Sequence, residues 1–143
     1  MSTTPTPNIG EKARAVEKKA APDARVPYNE GVALMKARKY ADAHAKFEAA
    51  LKIDPNLAQA HNNLAFSLRK QSPANFNRAL EHYNEAIRLN PRLAQAYEYR
   101  GVLYSEMNRK ADAEKDLATL KKLNPKLAGD LEAAIKTGKE TEY

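Results

Sequence analysis

Three times in 143 residues an apolar residue, an Asp or Asn and a Pro follow one another: Ile53-Asp54-Pro55, Leu89-Asn90-Pro91 and Leu123-Asn124-Pro125, at intervals of 36 and 34 residues. Proline lacks a backbone donor and bars the α conformation for the residue before it, so each copy marks the end of a helix. A stop that recurs at so even an interval confines the chain to an array of similar units, each burying its apolar face against the next. Aligned on these prolines, Ala43, Ala79 and Ala113 superpose, as do Phe47, Tyr83 and Leu117, and Ala50, Ala86 and Leu120. Matches at every third or fourth position describe one face of a helix, small where a neighbour comes close and large where a gap is filled.

Farther upstream, Gly31, Ala65 and Gly101 superpose, followed three residues on by Leu34, Leu68 and Tyr104. These belong to another helix in each unit, whose small residue lets the two helices of a pair cross tightly. Arg38-Lys39, Gln71-Ser72-Pro73 and Asn108-Arg109 fall between the two helices as turns. The two extra residues of unit two lie here, and Ser72 reads as an N-cap before a first-turn proline, so the helix that follows begins early. Composition agrees, since 26 Ala against 8 Val plus Ile favour helix over sheet.

With these landmarks in phase, the sequence resembles the tetratricopeptide repeat (TPR) family, in its small three-repeat bacterial type. The best unit, YNEGVALMKARKYADAHAKFEAALKIDPNLA, places Gly31, Tyr40, Ala43, Phe47, Ala50, Leu51 and Pro55 at the family's spacing. Pro27, His61 and Tyr97 depart from the bulky residue expected early in each first helix, and Lys110 stands where units one and two have Tyr40 and Phe76. The resemblance implies an all-α fold, a right-handed α-α superhelix of three helix pairs in units 24–57, 58–93 and 94–127. Leu127, Leu131 and Ile135, closed by Lys136 and Gly138, predict a capping helix over 128–137 that covers the open end of the array, with a tail at 138–143. Residues 1–23 read as a leader with a weak helical stripe at Ile9, Ala13, Val16 and Ala20, either partly helical in solvent or packed on the first repeat or in a groove.

The absence of cysteine removes disulfides and thiolate chemistry. A mean hydropathy of -0.72, with no apolar run near the ~18 residues of a span, predicts no membrane crossing. The start MSTTPTPNIG lacks an export signal and points to the cytoplasm, or to the periplasm if a signal peptide has been removed ahead of it. A net charge of +6 raises a basic nucleic-acid-associated adaptor as the alternative function, although acids are interspersed with the bases and there is no lysine run. His44, His61 and His82 show no HxxxH pair, and no glycine-rich phosphate loop occurs. Asp112, Glu114 and Asp116 read as acids spread around a helix start, favoured by the macrodipole. No enzyme activity, cofactor, metal or small-molecule substrate is therefore expected.

What remains is a surface. In the family, the first helices of the units line a concave groove that takes extended peptides or partner helices. The resemblance carries that role to Tyr28, Asn29, Val32 and Lys36 in unit one and to Gln59, Asn62, Asn63, Phe66 and Arg69 in unit two. Unit three supplies Gln95, Glu98, Tyr99 and Val102. The asparagines can meet a partner's backbone or tie neighbouring helices together, and Tyr28, Val32, Phe66 and Val102 are anchor types. Arg25, Lys36, Arg69 and Lys70 toward units one and two, against Glu98 and Glu106 in unit three, suggest a bipolar partner. One subset of the family grips the C-terminal carboxylate of heat-shock chaperones with a lysine and an asparagine, then an asparagine, then a lysine and an arginine. Those places hold Tyr28 and Val32, Asn63, and Gln95 and Tyr99, so one of five matches and no such docking is expected. The expected function is a non-catalytic scaffold for a protein or peptide partner, with association of two copies left open.

Overall fold

The computed structural model describes residues 21–138. It contains α1 (Arg25–Lys36), α2 (Tyr40–Ile53), α3 (Ala58–Gln71), α4 (Phe76–Leu89), α5 (Ala94–Glu106), α6 (Lys110–Leu123) and α7 (Pro125–Thr137), with a 3-10 turn at Pro73–Asn75 before α4. No strand occurs among the described residues. The leader stripe Ile9, Ala13, Val16 and Ala20 lies outside them.

Helices pair as α1 with α2, α3 with α4 and α5 with α6. The backbones of the first helices of the units also approach one another, α1 to α3 and α3 to α5, whereas among the described residues those of α2, α4 and α6 stay farther apart, α2 and α4 touching through the Arg78–Glu48 ion pair. That asymmetry bends the stack into a helical-repeat superhelix with α1, α3 and α5 on its inner wall.

The proline stops act through local hydrogen bonds. The Asp54 carboxylate accepts the Asn56 backbone N–H at 3.0 Å and the Asn90 side chain that of Arg92 at 3.1 Å, closing Asx turns after α2 and α4. In the third copy the Asn124 oxygen reaches one residue farther, to the Leu127 N–H at 3.1 Å, and becomes an N-cap with Pro125 in the first turn. The tripeptide that ends α6 therefore also opens the cap, which starts at Pro125 and not at 128 as the apolar stripe suggested. Gly138, at φ 66, ends it in the left-handed conformation. Ser72 caps as predicted, its hydroxyl accepting the Ala74 N–H at 3.1 Å, but what it launches is the 3-10 turn: α4 itself starts at Phe76, the counterpart of Tyr40, and not early as expected.

The core is built where a small residue faces a large one. A Cβ on Gly31 would lie 2.7 Å from Cε1 of Phe47, a fully buried ring, so glycine is what lets α1 close on α2. Gly101 uses the same freedom differently. Its Cβ would meet Leu131 Cδ2 at 2.6 Å, so it admits the cap and not, as expected, its own pair partner α6. Val102, Leu120, Ala128, Leu131 and Ala134 then form one cluster at that end, beside the larger cluster around Phe47, Leu64, Leu68, Tyr83, Tyr99 and Leu103.

Asp116 departs from its predicted role. Only Asp112 does what a first-turn acid does, pairing with Arg109 at 2.8 Å. Asp116 lies a turn deeper with its side chain 3% exposed, and both its oxygens accept from Arg100 on α5, at 2.6 and 3.0 Å. Arg100 also donates to Asn84 of α4 at 3.0 Å, so three helices meet at one guanidinium. Asp116→Ala should destabilise the fold by about 3 kcal/mol, because it strands a largely buried cation. Gly31→Ala should cost about 1 kcal/mol, overpacking against Phe47 outweighing the gain in helix propensity. Gly129→Ala, with nothing within 4 Å of the added Cβ, should instead stabilise α7 by about 0.5–1 kcal/mol. Urea unfolding of the three variants checks both the signs and the order.

Candidate peptide-binding groove

The inner wall is presented by α1, α3 and α5, so residues one helical turn apart on each helix share it. At the N-terminal ends of these helices runs a chain of neutral hydrogen bonds. The Tyr28 hydroxyl donates to Gln59 Oε1 at 2.9 Å and accepts from Asn63 Nδ2 at 3.3 Å. The Asn62 amide donates to Asn63 Oδ1 at 3.3 Å and to Gln95 Oε1 at 3.4 Å. Hydroxyl and amides thus cross all three units without a formal charge. Burial pushes the Tyr28 hydroxyl above the ordinary phenol range, against the opposing bond from Asn63, and so keeps it a donor.

The C-terminal ends of the same helices carry rings and one ion pair. Phe66, 3% exposed, lies 4.8 Å from Tyr99 and 6.0 Å from Tyr40 between ring centroids. The guanidinium of Arg69 and the ammonium of Lys70 lie 5.2 and 5.6 Å from the Phe66 centroid. Arg69, its side chain 2% exposed, reaches across to Glu106 Oε1 at 2.5 Å. This pair corrects the bipolar reading: charges assigned to opposite regions of the groove meet, because the last turns of α3 and α5 lie side by side. Arg25 is paired as well, with Asp23 at 2.8 Å.

Of the residues assigned to the groove, Asn29, Lys36 and Gln59 are exposed and Tyr28, Val32 and Gln95 half-buried. Asn62, Asn63, Phe66, Arg69, Glu98, Tyr99 and Val102 are buried. Two of these were expected as free anchors. Phe66 belongs to the main core cluster, and Val102 packs in the cluster that the cap completes. Asn63 takes the helix-tying role left open for it. Tyr40, at the start of α2, was not assigned to this wall although it packs edge-on against Phe66; its aromatic counterpart Phe76 was the available signal. Among the described residues, no three of His, Asp and Glu are placed to hold a metal ion, and no helix is long and apolar enough to cross a membrane.

The curved stack of helix pairs with an inner wall of first helices defines a helical-repeat scaffold. A family profile described as tetratricopeptide repeat matches residues 28–57, another described as TPR repeat matches residues 75–108, and the chain belongs to that family. It is 37% identical over 81 residues to a probable UDP-N-acetylglucosamine–peptide N-acetylglucosaminyltransferase, SPINDLY, of Arabidopsis thaliana; the match covers 56% of this chain but 9% of that protein. Among solved structures it resembles the first TPR of Spaghetti (RPAP3) bound to the HSP90 peptide SRMEEVD, with a TM-score of 0.73 at 23% identity, covering 82% of this chain and 94% of that one. It also resembles the second TPR domain of human RPAP3 in complex with the HSP70 peptide SGPTIEEVD, with a TM-score of 0.70 at 23% identity, covering 80% and 95%.

The burial pattern separates wall from surface. Phe66→Ala should cost about 3 kcal/mol of stability, as for a ring removed from a core. Gln59→Ala should stay within about 0.5 kcal/mol, as for an exposed site. Chemical denaturation distinguishes the two.

Proposed function

We propose that this chain is a non-catalytic protein-interaction scaffold that takes an internal segment of a partner polypeptide along the wall of α1, α3 and α5. The partner would meet Tyr28, Asn29, Val32, Lys36, Gln59 and Gln95, while Asn62, Asn63, Phe66, Arg69, Glu98, Tyr99 and Val102 hold the wall in shape. The observation that carries this reading is the neutral hydrogen-bond chain from Gln59 through Tyr28, Asn63 and Asn62 to Gln95. Amides and hydroxyls suit a peptide backbone, which offers N–H and C=O groups but no charge. The peptides bound by the two structural neighbours support a peptide as the ligand class.

Their ligand chemistry does not carry over as it stands. A terminal carboxylate entering this wall would find tyrosine, valine, glutamine and a second tyrosine at four of the five clamp places, and an uncompensated anion is costly to desolvate. Nor does the net positive charge favour a nucleic acid. Arg25, Arg69, Arg78, Arg88, Arg100 and Arg109 are each tied to a carboxylate, which leaves no basic stripe built from them.

The peptide SRMEEVD should show no association in the micromolar range by calorimetry. Peptides selected from a library of internal sequences should lose binding to a Val32→Asp, Gln59→Lys variant and keep their affinity when the terminal carboxylate is amidated. Binders that need the carboxylate, or that ignore the double substitution, would contradict the proposal.

A further inference from the structure

Away from the inner wall, two histidines meet at the joint between units one and two. His61, in the first turn of α3, and His82, on α4, place their Nδ1 atoms 3.1 Å apart. The ring centroids are 5.4 Å apart with planes 25° apart. That separation is the nitrogen–nitrogen distance plus one ring radius on each side, so the rings meet end to end in the alignment of a direct hydrogen bond. The other nitrogen of His61, Nε2, lies 2.9 Å from the carbonyl oxygen of Pro55, in the turn that leaves unit one.

These contacts assign the protons. A carbonyl only accepts, so His61 Nε2 carries a hydrogen and, in the neutral ring, Nδ1 accepts. The hydrogen between the rings therefore belongs to His82 Nδ1. One proton can still be added on the far nitrogen of His82 without disturbing this bond. A second has only His61 Nδ1 to go to, which would set two N–H groups against each other at hydrogen-bond distance.

We propose that the His61–His82 pair is a proton-operated latch, closed while the two Nδ1 atoms share one hydrogen and opened when both carry one. It ties α3 to α4 and to the Pro55 turn. The groups around it are Arg78 and Glu81 on α4, Glu48 on α2, and Glu85, one turn beyond His82 and bonded to Arg88. Burial first, then His61 and Arg78, hold His82 below the ordinary imidazole range, with Glu81 and Glu48 opposing. The unfolded chain thus takes up the His82 proton first as the pH falls through about 6.5, so the fold loses stability progressively below that value, and the latch itself opens only with the further, second proton. Asn62 and Asn63 follow His61 on α3, so opening would loosen the neutral chain of the inner wall; that consequence rests on the proposed function, the latch itself does not.

NMR titration of the imidazoles in the whole protein, with urea unfolding of wild type and His82→Gln at about pH 7.5 and about pH 5, tests the latch. Glutamine can donate to a neutral His61 Nδ1 and, with its amide turned, accept from a protonated one. The wild-type rings should titrate as a linked pair, with the His82 step displaced to low pH. The wild-type unfolding constant should rise on acidification more than the variant's, by up to about tenfold per pH unit for each proton of difference. Independent titration of both rings in the ordinary range, or equal acid sensitivity of the two proteins, would overturn the proposal; should the variant fail to fold, the wild-type titration decides alone.

Discussion

The fold depends on the close approach of helices where a residue without a large side chain faces a buried ring. Gly31 against Phe47 is the clearest instance, since a single methyl would stand 2.7 Å from the ring. Phe47 and Tyr83, both fully buried, fill equivalent places in successive units, and Ala43, Ala79 and Ala113 are equally buried beside them. Contact at Gly31 and Phe47 closes a helix pair, and the backbones of the first helices of successive units approach one another more closely than those of the second helices. Curvature, and with it the inner wall, is a consequence of side-chain size.

Once the wall exists, the polar groups placed on it must be satisfied, because a buried donor or acceptor without a partner costs more than a hydrogen bond gains. The Tyr28 hydroxyl, the Asn63 amide and the Asn62 Nδ2 meet this by bonding across the units, Arg69 Nη1 reaches Glu106, and the buried Asn62 Oδ1 is left without a hydrogen-bond partner among the described residues. The wall is thereby preorganised: side chains that hold each other need little further ordering when a partner arrives. What it offers is set by the groups still reached by solvent, which are mostly neutral. This distinguishes it from a wall of free cations, although the backbone curve is the same.

Much of the architecture was legible in the sequence because it is written in size and in proline. Alignment on Pro55, Pro91 and Pro125 found the helix pairs, the turns and the capping segment. Local chemistry could not separate two uses of one motif: Asn90 and Asn124 precede proline alike, yet one closes a turn and the other caps a helix. The wall was legible as a set of positions but not as a set of roles. Phe66 and Val102 have the composition of ligand anchors, and only the cap and the neighbouring rings make them core. Arg69 with Glu106 and Arg100 with Asp116 unite residues far apart in sequence, which charge summed along segments cannot see. His61, a departure from the family's bulky residue, and His82 become informative only when their rings are seen to meet.

The central claim is that the wall of α1, α3 and α5 receives a partner while keeping its own hydrogen bonds. Mapping chemical shifts of backbone and side-chain amides as a bound peptide is titrated in tests it most directly. Shifts concentrated at Asn29, Val32, Gln59 and Gln95, with the Asn62 and Asn63 side-chain amides still protected from exchange, are the predicted result. Shifts gathered on the outer faces of α2, α4 and α6 with the inner wall silent would contradict it.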